Sequence, residues 1–144
     1  MDGLFKVAVV SVFTFGATNV LAVSDTFNAT LEIKQAISMT KTSDLDFGLI
    51  TSDQATDVVV AKSDSGAAAF TINGGTGAVV DVAISNTNLV NGANTIPAEF
   101  SFDSNLTLTG GTAELKIGGT AKTAGATLVA GTYSANVPVD VTYQ

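Results

Sequence analysis

The sequence contains no cysteine, no histidine and no tryptophan. Without cysteine, neither a disulfide nor a thiolate metal site is available, so packing alone must hold the fold. Without histidine or cysteine, the usual nucleophile–base triad has neither its customary base nor a thiol nucleophile. With no tryptophan and only 2 tyrosines, the aromatic platform on which sugar rings stack is missing. Charge is scarce as well: 13% of residues are charged, and 6 Lys+Arg against 13 Asp+Glu leave a formal net charge of −7. Such a chain lacks the clustered basic groups that neutralise phosphates, which argues against binding nucleic acid or docking on anionic lipid.

The acidic residues offer little chemistry of their own. Asp44 and Asp46, or Asp53 and Asp57, are the nearest carboxylate pairs for a glycosidase-like reaction. Asp44 and Asp46 flank Leu45 at strand spacing, which puts both on one solvated face. No Asp-rich loop has the spacing of an EF-hand calcium site. Two sequons, Asn28-Ala-Thr30 and Asn105-Leu-Thr107, arise easily in a chain this rich in Asn and Thr and carry no assigned role. The expectation is a protein that is not an enzyme and has no cofactor and no metal.

At the N-terminus, Lys6 precedes an apolar run from Val7 to Ala17, closed by Val20-Leu21-Ala22 with small or short residues at the usual cleavage positions. This pattern predicts a secretory signal peptide over residues 1–22. A membrane span needs roughly 17–25 apolar residues, and this run is shorter and is followed by Asn19, so the mature chain is expected to have no membrane span. Cleavage after Ala22 leaves Val23–Gln144, a length suited to one domain with one core. The loss of Asp2 and Lys6 together leaves the net charge unchanged. High Thr, Val, Ala, Gly and Asn with little charge favours sheets over helices.

Turn signals rich in Gly, Asn, Asp and Ser recur at 51–54, 63–66, 73–77, 91–94, 110–111 and 118–119. Between them, 57–62, 67–73, 78–85, 96–102, 106–109 and 113–117 read as strands. About seven to nine such strands predict an all-β, antiparallel immunoglobulin-like β-sandwich. Phe70 to Ile84 reads as two alternating runs around a Gly-rich turn and is expected to pair as a hairpin. Phe70, Ile72, Val80, Val82, Ile84, Phe100, Phe102, Leu106, Leu108, Leu115 and Ile117 are the core candidates, with Leu45, Phe47 and Leu49 beginning the core.

Two segments near the chain ends are amphipathic at strand period. Phe27, Ala29, Leu31 and Ile33 alternate with Asn28, Thr30, Glu32 and Lys34, and the register changes at Gln35-Ala36. At the other end Tyr133, Ala135, Val137, Val139, Val141 and Tyr143 share one face, against Thr132, Ser134, Asn136, Asp140 and Thr142 on the other. Chain ends usually fray and gain little from bulky apolar side chains, so this one must be covered by something. Pro138 lies inside that stretch, where it cannot donate to a ladder and so belongs on an edge.

The C-terminal pattern resembles the signature of subunits exported by the chaperone-usher pathway: Gly131 opens the last fourteen residues, alternating apolar residues follow, and Tyr143 is penultimate. In that family the last strand borders a groove left by a missing strand. The resemblance implies that Gly131, Tyr133, Ala135, Val137, Val139, Val141 and Tyr143 form the groove edge, and that Phe27, Ala29, Leu31 and Ile33 form a donor strand. A second resemblance spans most of 27–144. Ile37 to Gly48 with its Asp46-Phe47-Gly48, Gly111 to Gly119, and Ala130-Gly131-Thr132-Tyr133 look like a family of secreted bacterial β-sandwich domains of uncharacterised function.

These readings divide the chain into a signal peptide (1–22), an N-terminal extension (23–34) and a β-sandwich domain (35–144), which a donor strand from a neighbouring subunit would complete. The expected role is a structural subunit of a pilus- or fimbria-like fibre on the surface of a Gram-negative-type bacterium. Its partners would be other copies of itself, with a periplasmic chaperone and an outer-membrane usher. The alternative is a self-complete surface binding module, an adhesin or matrix protein, whose N-terminal strand pairs within its own sheet. Its ligand loop would be 86–94, with Asn88, Asn91 and Asn94 bonding sugar hydroxyls.

Overall fold

In a computed structural model the described residues are 22–144, so the segment expected to be a signal peptide lies, apart from Ala22, outside them. The chain divides into two units, Met1–Glu32 and Ile33–Gln144. In the first unit, residues 22–32 form no strand, and their side chains are exposed, Phe27 at 89% and Leu31 at 86%.

The second unit is all-β, with antiparallel pairing throughout. Its strands are β1 (Ser38–Ser43), β2 (Val58–Val60), β3 (Ala68–Asn73), β4 (Val79–Ala83), β5 (Thr87–Asn91), β6 (Asn94–Ser101), β7 (Asn105–Thr107), β8 (Thr112–Ala121) and β9 (Asp140–Tyr143). One sheet runs in the order β1-β3-β8-β6-β5, with β2 also on β8; the other runs β7-β4-β9. Alternating apolar residues from both sheets meet in one core. Ile72 and Leu115 of the first sheet, Val80 of the second, and Leu108 after β7 are all 0% exposed. Ile72, Val80 and Leu115 fall on the inward positions of their strands' two-residue period, and Leu108 continues that of β7.

The expected hairpin from Phe70 to Ile84 does not form. β3 pairs with β1 and β8, whereas β4 pairs with β7 and β9, so residues 74–78 carry the chain from one sheet to the other. The Gly74 and Gly77 amides are taken by Gly111 and Leu108 carbonyls rather than by a hairpin ladder. Ile72 and Val80 still share a core, but they face each other across it. Alternation alone records which face is apolar and leaves open which neighbour a strand takes.

Gly118 and Gly119 are likewise not a turn. They lie inside the ten-residue β8, where pairing to β3 through residues 112–117 gives way to pairing with β2 through 119–121, while β6 runs along 118–121. A Cβ on Gly118 would lie 2.5 Å from the Val60 carbonyl oxygen and 2.9 Å from the Lys62 nitrogen. Both glycines therefore serve close backbone approach.

Candidate functional site: an apolar groove between two chain segments

Beyond β1 the chain leaves the sheet but keeps its alternation. Leu45 and Phe47 turn inward, half-buried, while Asp44 and Asp46 point to solvent, as their spacing predicts. Two hydrogen bonds shape this stretch: the Asp46 amide donates to the Gly66 carbonyl at 2.8 Å, and the Gly48 amide donates to the Asp46 carboxylate at 2.8 Å. Gly48 takes φ +77°, which only glycine adopts freely, and the turn throws Leu49 outward to 98% exposure. Leu49 is thus not part of the core it was expected to begin. Leu45 and Phe47 instead pack on Gly119, each with an atom 3.0 Å from where a Cβ would stand.

The facing segment is 131–139. Its expected strand is regular only over β9, with one further bridge at Ser134, which exchanges backbone hydrogen bonds with Val90 at 2.9 and 3.2 Å. The side-chain alternation nevertheless persists along the whole stretch. Tyr133, Ala135, Val137, Val139, Val141 and Tyr143 are all half-buried, and every residue between them, Pro138 included, is exposed. At its start Gly131 has φ +149° and rests on the Asn91 side-chain amide, which occupies the place of a Cβ.

Between these two segments runs a cavity of about 980 Å³. Its walls are Met39 to Ile50 on one side and Gly131 to Val139 on the other; its floor includes Ala68, Phe70, Ile84, Phe100 and Ile117. Several of these side chains belong to the core or pack against it, so the groove reaches the inside of the sandwich. Among the described residues β1 is paired along one edge only, to β3, and 131–139 is paired only at the Ser134 bridge. The 131–139 wall therefore presents an apolar inner face, the β1 wall presents Met39, Lys41 and Ser43, and both leave main-chain donors and acceptors free. That is a seat for an extended strand, since main-chain bonds supply affinity and alternate side chains supply register.

The ion pairs of the described residues lie on the surface. Lys41 pairs with Asp44 on the rim at 2.6 Å, both exposed. Lys122 joins Glu99 at 3.1 Å and Asp57 at 3.7 Å, and its ammonium pKa is raised, first by the hydrogen bond and charge of Glu99. The Thr51 hydroxyl donates to Asp53 and lowers that carboxyl's pKa. The one buried polar side chain of the described core, Thr123, donates to the Thr56 carbonyl at 2.7 Å. Among the described residues no three or more acidic side chains are grouped to hold a metal ion.

The structure brings the C-terminal residues Gly131 to Val139 into one groove wall, with Val141 and Tyr143 continuing beyond it. It places Phe27, Ala29, Leu31 and Ile33 exposed, with Ile33 at 85%. The stretch 86–94 is not a loop: Thr87–Asn91 is β5, Asn91 supports Gly131, and the Asn94 amide donates to the Asn91 carbonyl. Residue reading missed Leu45 and Phe47 as a groove wall, although their alternation with Asp44 and Asp46 carried the signal. The sequence marked Asn91 as a sugar-loop residue and Gln35 as a register change, and gave no sign of their contacts with Gly131 and Tyr143.

The fold and this site define an all-β protein, an antiparallel sandwich with a strand-sized apolar groove open at its side. No family model, curated protein or solved structure matches the chain.

Proposed function

We propose that this protein is a structural subunit of a surface fibre, assembled by donor-strand exchange between copies. The observation that carries this reading is the groove between 39–50 and 131–139, with an apolar floor, a free edge along β1 and a facing segment paired only at the Ser134 bridge. The proposed occupant is residues 27–33 of a second copy. That segment alternates at strand period, and its large apolar side chains, Phe27, Leu31 and Ile33, are exposed rather than spent on a core. Seven extended residues span about 23 Å at ~3.3 Å per residue, a length suited to the nine-residue wall 131–139. Inserted there, the strand would bond to β1 on one side and to 131–139 on the other, with its apolar residues completing the core.

The same reading takes the subunit through export and gives it a periplasmic chaperone and an outer-membrane usher as partners, the chaperone holding the groove until a second copy fills it. Strand addition fits the composition: with no cysteine to staple the joint, burial and main-chain pairing must hold it.

The test is gel electrophoresis of surface-sheared material from cells expressing the full chain, run unheated and boiled. A ladder of regularly spaced multimers that collapses to one band on boiling is expected. Deleting residues 24–33 should abolish the ladder and leave an exported monomer. A single monomer band from the full chain in both lanes would overturn the proposal in favour of a self-complete sandwich.

A further inference from the structure

The two sequons are alike as tripeptides and differ in their setting. Asn105-Leu106-Thr107 makes up the whole of β7, and Asp103 stands two residues before the asparagine. Asn28-Ala29-Thr30 has Thr26 at that place and lies outside any strand. The difference bears on chemistry, because bacterial enzymes that transfer oligosaccharide to asparagine read an acidic side chain at that position as well as the hydroxyl two residues after the acceptor.

β7 fixes how the acceptor is displayed. Residues two apart on a strand share a face, so Asn105 and Thr107 both point outward and are exposed, while Leu106 packs against the core. Asp103 and Ser104 before the strand are exposed as well, and Asp103 pairs at the surface with Lys62 at 2.7 Å. With its nitrogen as donor, the Asn105 side chain faces the Asp81 carboxylate and the Ser104 carbonyl, the latter at 3.1 Å. Replacing one of the two amide hydrogens by a sugar leaves the other to keep one of these bonds.

The strand is also easily lifted. It is 3 residues long and hydrogen-bonds to β4 alone, with no strand of the described residues on its other side. Short elements with few partners open locally at little cost, which lets the sequon enter a transferase site. None of residues 103–107 lines the groove, so a bulky group here leaves the strand seat free. It would instead overhang the outer edge of β7. An unpaired edge accepts foreign strands unless something blocks it, and a subunit that assembles by strand addition must confine that addition to its groove.

We propose that Asn105 is an N-glycosylation site whose substrate is an oligosaccharide carried on a polyprenyl pyrophosphate. A bond forms between Asn105 Nδ2 and the anomeric carbon of the first sugar as the bond from that carbon to the pyrophosphate oxygen breaks. The polyprenyl pyrophosphate leaves with the electron pair, and Nδ2 gives one proton to a base of the transferase. Such transfer takes place outside the cytoplasm, so the site rests on the export reading; it does not require that copies exchange strands.

The test is mass spectrometry, intact and after digestion, of the full chain recovered from its native cells. The chain is expected to lack residues 1–22 and to carry a hexose- or N-acetylhexosamine-containing mass at Asn105. Asn105→Gln and Thr107→Val should lose that mass, Asp103→Ala should reduce its occupancy at least ten-fold, and Thr107→Ser and Asn28→Gln should keep it. A chain that lacks residues 1–22 and has Asn105 bare, or the sugar at Asn28 instead, overturns the site while export stands. Full occupancy in Asp103→Ala overturns the part given to the acid. A chain that keeps residues 1–22 and stays inside the cell overturns the export reading, and the site falls with it.

Discussion

Gly131 combines a backbone at φ +149° with the Asn91 amide standing where a side chain would begin. A side-chain-bearing residue there must adopt a conformation that costs about 1–3 kcal/mol and must also displace Asn91. Gly131→Ala is therefore expected to lower the unfolding free energy by at least that amount, read as a lower urea midpoint. An unchanged midpoint would show that the loop relaxes freely. A second residue-scale effect concerns Asp53, whose pKa is lowered first by the Thr51 hydroxyl. A depressed carboxyl contributes stability that is present above its ordinary value and lost as pH falls through the lowered one. Thr51→Ala should move the Asp53 midpoint back up in a carboxyl NMR titration. The exposed site and solvent screening keep the accompanying stability change small.

At the scale of elements, the proposed donor segment 27–33 and the groove make the sharpest demand. An aspartate in place of Leu31 or Ile33 would carry a charge into an apolar floor with no partner, which is among the costliest changes a buried position can suffer. In the exposed extension of a free subunit the same change costs almost nothing, since Leu31 is 86% and Ile33 85% exposed. Leu31→Asp and Ile33→Asp are therefore expected to leave the monomer's urea midpoint unchanged and to remove the multimer ladder. A ladder surviving both would show that this face of the strand is not what enters the groove. β8 carries a different constraint, because Gly118 and Gly119 let β2 and the Leu45–Phe47 segment close onto it. Gly118→Val should detach β2, read as faster amide exchange at Val58–Val60.

For the whole molecule, the missing residue types set the response to pH. Histidine and cysteine are the side chains that ordinarily titrate near neutrality, and the sequence has neither. The urea midpoint is therefore expected to stay flat between about pH 6 and 9. Outside that window the Thr51–Asp53 contribution is lost on the acid side. The Lys122 contribution, from a pKa raised first by Glu99, is fully present below the ordinary lysine value and is lost as pH rises through the raised one. A midpoint step near neutrality would point to a titrating group outside this account.

Much of this architecture was legible one residue at a time. Ile72, Val80, Leu108 and Leu115, chosen on alternation alone, are fully buried, and the inward face of Tyr133 to Tyr143 was readable in full. Period-2 patterning needs only local information, because each strand has two faces whoever its neighbour is. The same pattern assigned β3 and β4 to one hairpin and Gly118–Gly119 to a turn. Pairing partners and close backbone approaches depend on residues far away in the chain, such as Val60 against Gly118 and Asn91 against Gly131. The sequence by itself determined that the protein is all-β, that it has no thiol or imidazole chemistry, and which side chains seek cover. Only the tertiary structure decided that the cover is incomplete between β1 and the C-terminal segment, because a groove is a property of two walls brought together and no single stretch of chain contains both.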